Sequence, residues 1–152
     1  MHRYGDELKA EAMLMHLGLA RKAQRVTIRA QDDPAPIFVH LEGCMRSAGY
    51  LYRDIFAVRL ILQEVLTDAF RHGGGDSDKC VDLTFIVTPS GVIADVQNDS
   101  GGFPFDDRPA PLATENSGRF GGVSLMRMYA TWVSFHKAAN RLTLCRRRSE
   151  QP

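Results

Sequence analysis

Glu64, Asp68 and His72 stand four residues apart in one unbroken stretch of the chain, with Arg71 beside the last of them. A step of four drifts only slightly around a helix, so the three polar groups form one stripe. Further back the same stripe holds Ala57, Leu60 and Ile61, so a face that begins apolar turns acidic as it leaves the core. A carboxylate at such a border can act as a general base, or hold a hard cation such as Mg²⁺ through oxygen. The simpler reading is a solvated helix end, with His72 and Arg71 complementing the macrodipole. Asn98 is the second polar position of interest. Strand alternation puts it on the face of Val96, toward the helices, where its amide can bond a planar heterocycle or cap the loop that follows. Ser100-Gly101-Gly102 lets backbone approach a ligand closely, or makes a turn. Gly118-Arg119-Phe120-Gly121-Gly122 leads into a helix N-terminus, whose free N–H groups favour phosphate. It has neither the Gly-Lys-Ser/Thr ending of a P-loop nor a G-x-G-x-x-G fingerprint.

Positioning these groups takes a small frame of helices and strands. Asp6 to about Lys22 reads as a helix with Asp6 as its N-cap and Ala10, Met13, Leu14 and Leu17 on one face. Val26 to Arg29 alternates as a strand, and Asp32-Asp33-Pro34 opens a helix over Ala35 to Ser47. Asp54 to His72 contains no Gly or Pro, and its apolar residues nearly encircle it at first. That predicts a buried central helix, ended by Gly73-Gly74-Gly75. Two strands follow, with Val81, Leu83, Phe85 and Val87 alternating in the first and a turn at Pro89-Ser90-Gly91. Asp99 to Gly118 reads as a functional, mobile loop. A helix over Val123 to Thr131 and a hairpin of Trp132–His136 with Arg141–Arg146, turning at Ala138-Ala139-Asn140, complete the chain. This order predicts an α+β fold, a two-layer α/β sandwich with helices on one face of a mixed, largely antiparallel sheet. Residues 1–24 are expected to form an N-terminal helical extension and residues 25–148 the domain proper. The Ala10–Met13–Leu14–Leu17 face is expected to pack on that domain, or to meet a partner or a second copy.

Composition narrows the function classes. With 152 residues, 44% of them hydrophobic, the chain has enough apolar material for one real core, which excludes disorder. Nineteen basic against eighteen acidic residues leave a formal charge of +1, no footprint for nucleic acid or an anionic membrane. Arg146-Arg147-Arg148 reads as a solvated tail. Cys44, Cys80 and Cys145 are scattered and odd in number, so neither a disulfide framework nor a zinc knuckle is expected. No apolar run reaches membrane-spanning length and no signal core opens the chain, which predicts a cytoplasmic protein.

The order of the pieces is more specific than any one of them. The run from Leu62 to Gly73 resembles the N-box of the GHKL (histidine-kinase-like, Bergerat) ATPases, which reads E-x-x-x-N-A-x-x-H. Val96 to Phe103 resembles their D-x-G-x-G-F box. Gly118 to Leu125, with the helix and Arg141-Leu142-Thr143-Leu144 after it, is similar to their second glycine box and closing strands. The resemblance covers about Val26 to Arg148. Small size, one domain and the N-box phrasing point to the RsbW-like anti-sigma factors, serine-protein kinases that sequester a sigma factor or phosphorylate an antagonist protein.

This resemblance implies a Bergerat ATPase fold that binds ATP and Mg²⁺. Glu64 matches the general base, and Asp68 stands where the family keeps its Mg²⁺-binding Asn. His72 matches the histidine closing the N-box and is counted among the nucleotide-binding residues. Asn98 stands where the family keeps the Asp that accepts from the adenine amino group, and Ser100 replaces the first glycine of that box. Gly102, Gly121 and Gly122 match glycines on the nucleotide side, and residues 99–118 match the ATP lid. A neutral amide at Asn98 forgoes a charge-assisted bond; at roughly 0.5–1.5 against 1.5–3 kcal/mol, the exchange implies about tenfold weaker nucleotide binding. The expected function is therefore an ATP-binding anti-sigma-factor-like regulator and serine/threonine-protein kinase. Its partner would be a sigma factor or an anti-anti-sigma antagonist. The alternative is the same fold as a non-catalytic protein-binding module. A third reading makes Glu64, Asp68 and His72 ligands of a metal hydrolase, completed by one of His2, His16, His40 or His136.

Overall fold

A computed structural model describes residues 23–71, 79–98, 126–136 and 140–150. In chain order these form β1 (Gln24–Arg29), α1 (Ala35–Ser47), α2 (Tyr52–Arg71), β2 (Cys80–Val87), β3 (Gly91–Asn98), β4 (Trp132–His136) and β5 (Arg141–Arg147). A helical turn at 126–129 precedes β4. The expected N-terminal helix, the glycines after α2 and the loop 99–118 lie outside the described residues.

Local chemistry sets the ends of α1. Asp33 Oδ1 accepts the Ala35 N–H at 3.0 Å, which satisfies one of the donors that a helix start leaves unpaired. At the other end Gly49 has φ 80°, a conformation that suits a residue without Cβ. Its N–H reaches Arg46 O at 3.0 Å and the Tyr50 N–H reaches Met45 O at 3.0 Å, the paired bonds of a Schellman stop.

The sheet order is β1-β2-β3-β5-β4, and every described pairing is antiparallel. The expectation of a mixed sheet is corrected here, for a topological reason. β3 and β4 both run antiparallel to β5, so they are parallel to each other, but β5 lies between them. No parallel neighbours result. β1 and β2, separated by the two helices, pair antiparallel as well. Helices pack against one face of this α+β sheet.

The main core joins Phe38, Leu41 and Met45 of α1, the series Ile55, Val58, Ile61, Leu62, Val65, Leu66 and Ala69 of α2, and the helix-facing residues of the sheet. Val81, Leu83 and Phe85 alternate inward from β2, and Val92, Ala94 and Val96 from β3. Helix α2 is not encircled by core as the sequence suggested. Tyr52 is 67% and Phe56 46% exposed, so one side faces solvent while the periodic side carries the packing.

Of the C-terminal arginines Arg147 is exposed, but Arg146 and Arg148 are not part of a solvated tail. Asp54, in the first turn of α2, is fully buried, and its Oδ1 accepts from Arg146 Nε at 3.1 Å, Arg146 Nη2 at 2.9 Å and Ser149 Oγ at 2.6 Å. Ser149 N donates to Oδ2 at 2.9 Å. Arg148 lies over the Tyr50 ring, 4.7 Å from its centroid, and donates to Ala48 O and Gly49 O at 3.0 and 2.6 Å. Desolvation raises the Asp54 pKa, but the Ser149 and Arg146 bonds outweigh it and hold the carboxyl below its ordinary value.

Candidate functional site

Helix α2 carries the acidic stripe from the core to one end of the domain. Ala57 and Ile61 are buried, Glu64 is half-buried, and Asp68 is buried again at 3% exposure. A solvated helix end would leave Asp68 in water, so that simpler reading does not hold for this residue. A buried carboxylate needs partners, which makes this end of the helix a structured polar site.

Strand β3 brings Asn98 to the same place. Val96 faces the core, and alternation puts Asn98 on that side, where it is 1% exposed. Its Nδ2 donates to Ala69 O at 3.3 Å, one residue beyond Asp68. Ala69 belongs to the last turn of α2, whose carbonyls have no partner further along the helix. Asn98 therefore ties the end of the acidic stripe to the end of β3. Its own backbone N–H donates to Asn140 O at 2.8 Å, which anchors that strand end against the β4–β5 hairpin. Asn140 has φ 50°, a conformation that Asn tolerates at a turn.

Sequence reading passed over Lys79, which stands just before β2. Val81 faces the core and pairs with Asn98, so alternation puts Lys79 on the helix-facing side at the same sheet end. It is only 3% exposed. A buried ammonium is costly unless paired, and here it adds a positive group to the end that holds Asp68 and Asn98. Nothing in the sequence marked it, because a single lysine after a glycine-rich turn reads as solvent-facing. Asp54 escaped notice for the same reason.

Glu64, Asp68 and Asn98 are thus placed by the structure, while His72, Gly102, Gly121 and Gly122 lie outside the described residues. The donor set at the α2 end is oxygen-only, a half-buried carboxylate followed one turn later by a buried one. Among the described residues no group of three His, Cys, Asp or Glu side chains is close enough to hold a metal by itself. The two histidines of the metal-hydrolase reading that are described sit elsewhere. His40 contacts Gln24 and stands edge-on to Phe85, four register pairs away from the Val81–Asn98 end. His136 contacts Ser134 on β4 and pairs with Arg141. No described helix is long and apolar enough to cross a membrane.

Compared with known proteins, the chain matches no protein-family model and no curated protein sequence.

Proposed function

We propose that this chain is an ATP-binding regulator of the anti-sigma-factor type with a Bergerat ATPase fold, acting as a kinase on a serine or threonine of an antagonist protein. The observation that carries this reading is the bond from Asn98 to Ala69, which brings the amide expected at the adenine and the carboxylate expected at Mg²⁺ to one buried end of the domain. In this reading Glu64 takes the proton of the attacking hydroxyl, Asp68 holds Mg²⁺ through a carboxylate oxygen, and Asn98 Oδ1 accepts from the adenine amine. The site would be completed by His72, Gly102, Gly121 and Gly122.

One observation favours the second reading, a non-catalytic protein-binding module. Asn98 already serves the fold by satisfying a last-turn carbonyl of α2, a role that needs no nucleotide. Tyr52 and Phe56, exposed beside a groove of about 260 Å³ between α1 and α2, also offer apolar surface to a protein.

Calorimetric titration with ATP, with and without Mg²⁺, separates the two. Asn98→Asp should tighten nucleotide binding by restoring a charged acceptor, and Asp68→Ala should remove the Mg²⁺ dependence. Glu64→Gln should leave affinity intact and slow phosphotransfer by about 10²–10⁴. Absence of binding in both the parent chain and Asn98→Asp selects the binding module.

A further inference from the structure

The sheet face turned away from α1 and α2 holds side chains that an open face would leave wet. Strand register arranges them in rows running across the sheet. Ile86, Ile93 and Cys145 stand side by side in one row, and Thr84, Asp95 and Thr143 in the next. Ile93 and Cys145 are 0% exposed and Thr143 only 1%. An antiparallel sheet that packs on one side keeps its other side solvated, with polar side chains on it. Here no described helix contributes to the cluster of Ile86, Ile93 and Cys145, which is bordered by Ala23 and Trp132. The third row, Asp82–Gln97–Arg141, is only half-buried. Rows on one face repeat every about 6.8 Å. Two buried rows beside a more open one outline a footprint about as wide as one helix, some 10–12 Å.

The chain itself supplies an occupant. Ala23 precedes Gln24, whose partner is Phe85, so alternation sets Ala23 beside Ile86, and it packs against that cluster. The segment before it therefore reaches the sheet at the border of the buried rows. Ala10, Met13, Leu14 and Leu17 of that segment share one face at helical spacing. As a helix, residues 6–22 would extend about 25 Å. The distance from β1 to β5 is three strand spacings, about 14 Å. We propose that residues 6–22 lie as a helix over the outer face of the sheet, with Ala10, Met13, Leu14 and Leu17 turned toward Ile86, Ile93 and Cys145. The domain then has three layers rather than two. This placement is independent of what the α2 end binds.

Cys145 reports on the cover. Burial pushes its thiol up to about 12, and a thiol held so is a slow nucleophile. Alkylation of the native full chain by N-ethylmaleimide, followed by peptide mapping, reads each cysteine separately. Cys44, on α1, is the internal reference. In a Leu14→Asp, Leu17→Asp double variant, Cys145 should react at least about tenfold faster while Cys44 keeps its rate. A Cys145 rate unchanged beside an unchanged Cys44 rate overturns the proposal.

A second measurement holds even where that variant unfolds. With Leu14→p-benzoylphenylalanine in the otherwise intact chain, light should join residue 14 to peptides of β2, β3 or β5 within a single chain. Crosslinks to α1 or α2, crosslinks between two copies, or no crosslink to the sheet overturn the proposal.

Discussion

On the helix-facing side of the sheet, Phe85–Ala94–Leu144 and Leu83–Val96–Leu142 form cross-strand rows that are apolar throughout. On the opposite side Ile86–Ile93–Cys145 gives way to Thr84–Asp95–Thr143 and then to Asp82–Gln97–Arg141. The first face is held mostly by packing, which tolerates any apolar neighbour of the right volume, with Asn98 and the Asp54–Arg146 pair as its polar exceptions. The second is held by partners that must meet atom to atom. Thr143 Oγ1 donates to Asp95 Oδ1 at 2.7 Å, Arg141 Nε stands 3.0 Å from Asp95 Oδ2, and Thr27 Oγ1 donates to Asp82 Oδ1 at 2.6 Å. A one-residue slip would exchange the two faces and bury Asp95 among the helices. On this arrangement the apolar face is expected to supply most of the stability, and the polar face to select the register in which it is supplied.

The largest expected effect comes from one of the polar exceptions on the helix-facing side, the Asp54–Arg146 pair. Asp54→Ala would leave a largely buried guanidinium without its carboxylate and strip Ser149 of two bonds. A loss of about 3–5 kcal/mol is expected, read as a fall in the denaturation midpoint at unchanged slope. The pH dependence has a definite sign. The folded carboxyl titrates below its ordinary 3.8, so its contribution is complete above that value and is lost as pH falls through the folded pKa. Asp54→Asn should therefore be less stable than the parent at neutral pH and converge on it in acid. A constant gap between the two down to the acid limit would show that the carboxylate's charge is not what Arg146 and Ser149 read.

The same pair marks how far the sequence could be read. Among the described residues the element order, the bounds of α1, the β2–β3 and β4–β5 hairpins and the inward aim of Asn98 were legible, because each follows from a local period or a turn. Sheet order was not, since inserting β5 between β3 and β4 is decided by long-range packing that leaves no periodic trace. The candidate site was legible in part. Spacing singled out Glu64 and Asp68, and alternation singled out Asn98. Yet Asp54 and Asp68 are both acidic residues on one helix, and both are buried. Only the fold reveals that Asp54 meets an arginine ninety-two positions along the chain. Lys79 was hidden for the same reason, because burial of a lone charge depends on what closes over it.

A smaller effect tests whether the two faces are equally dry. Leu142 faces the helices and Ile93 faces away, and each is 0% exposed. Truncating either to alanine removes buried methyl groups and leaves a cavity, at about 2–5 kcal/mol. Leu142→Ala and Ile93→Ala should therefore destabilise to similar extents in chemical denaturation. On a face open to water Ile93→Ala would cost far less, because solvent fills the space and little transfer free energy is lost. An Ile93→Ala cost of under about 1 kcal/mol beside a full cost for Leu142→Ala would break the comparison and the proposed third layer with it.

The smallest effect concerns the polar row itself. Thr143→Val keeps the shape of the side chain and removes one donor, so it isolates the bond to Asp95. Asp95 is 4% exposed and would keep Arg141 at 3.0 Å. Its charge stays compensated, while one acceptor site is left without its hydroxyl. A hydrogen bond to a charged group is worth about 1.5–3 kcal/mol, and the retained guanidinium should bring the loss to the lower end of that range. The effect on register should exceed the effect on stability. With a weaker tie across β3 and β5, amide exchange at Asp95 and Thr143 should quicken relative to the same strands' apolar positions Val96 and Leu142. Equal acceleration along both strands would mean that the row contributes only general stability, and that the apolar face selects the register by itself.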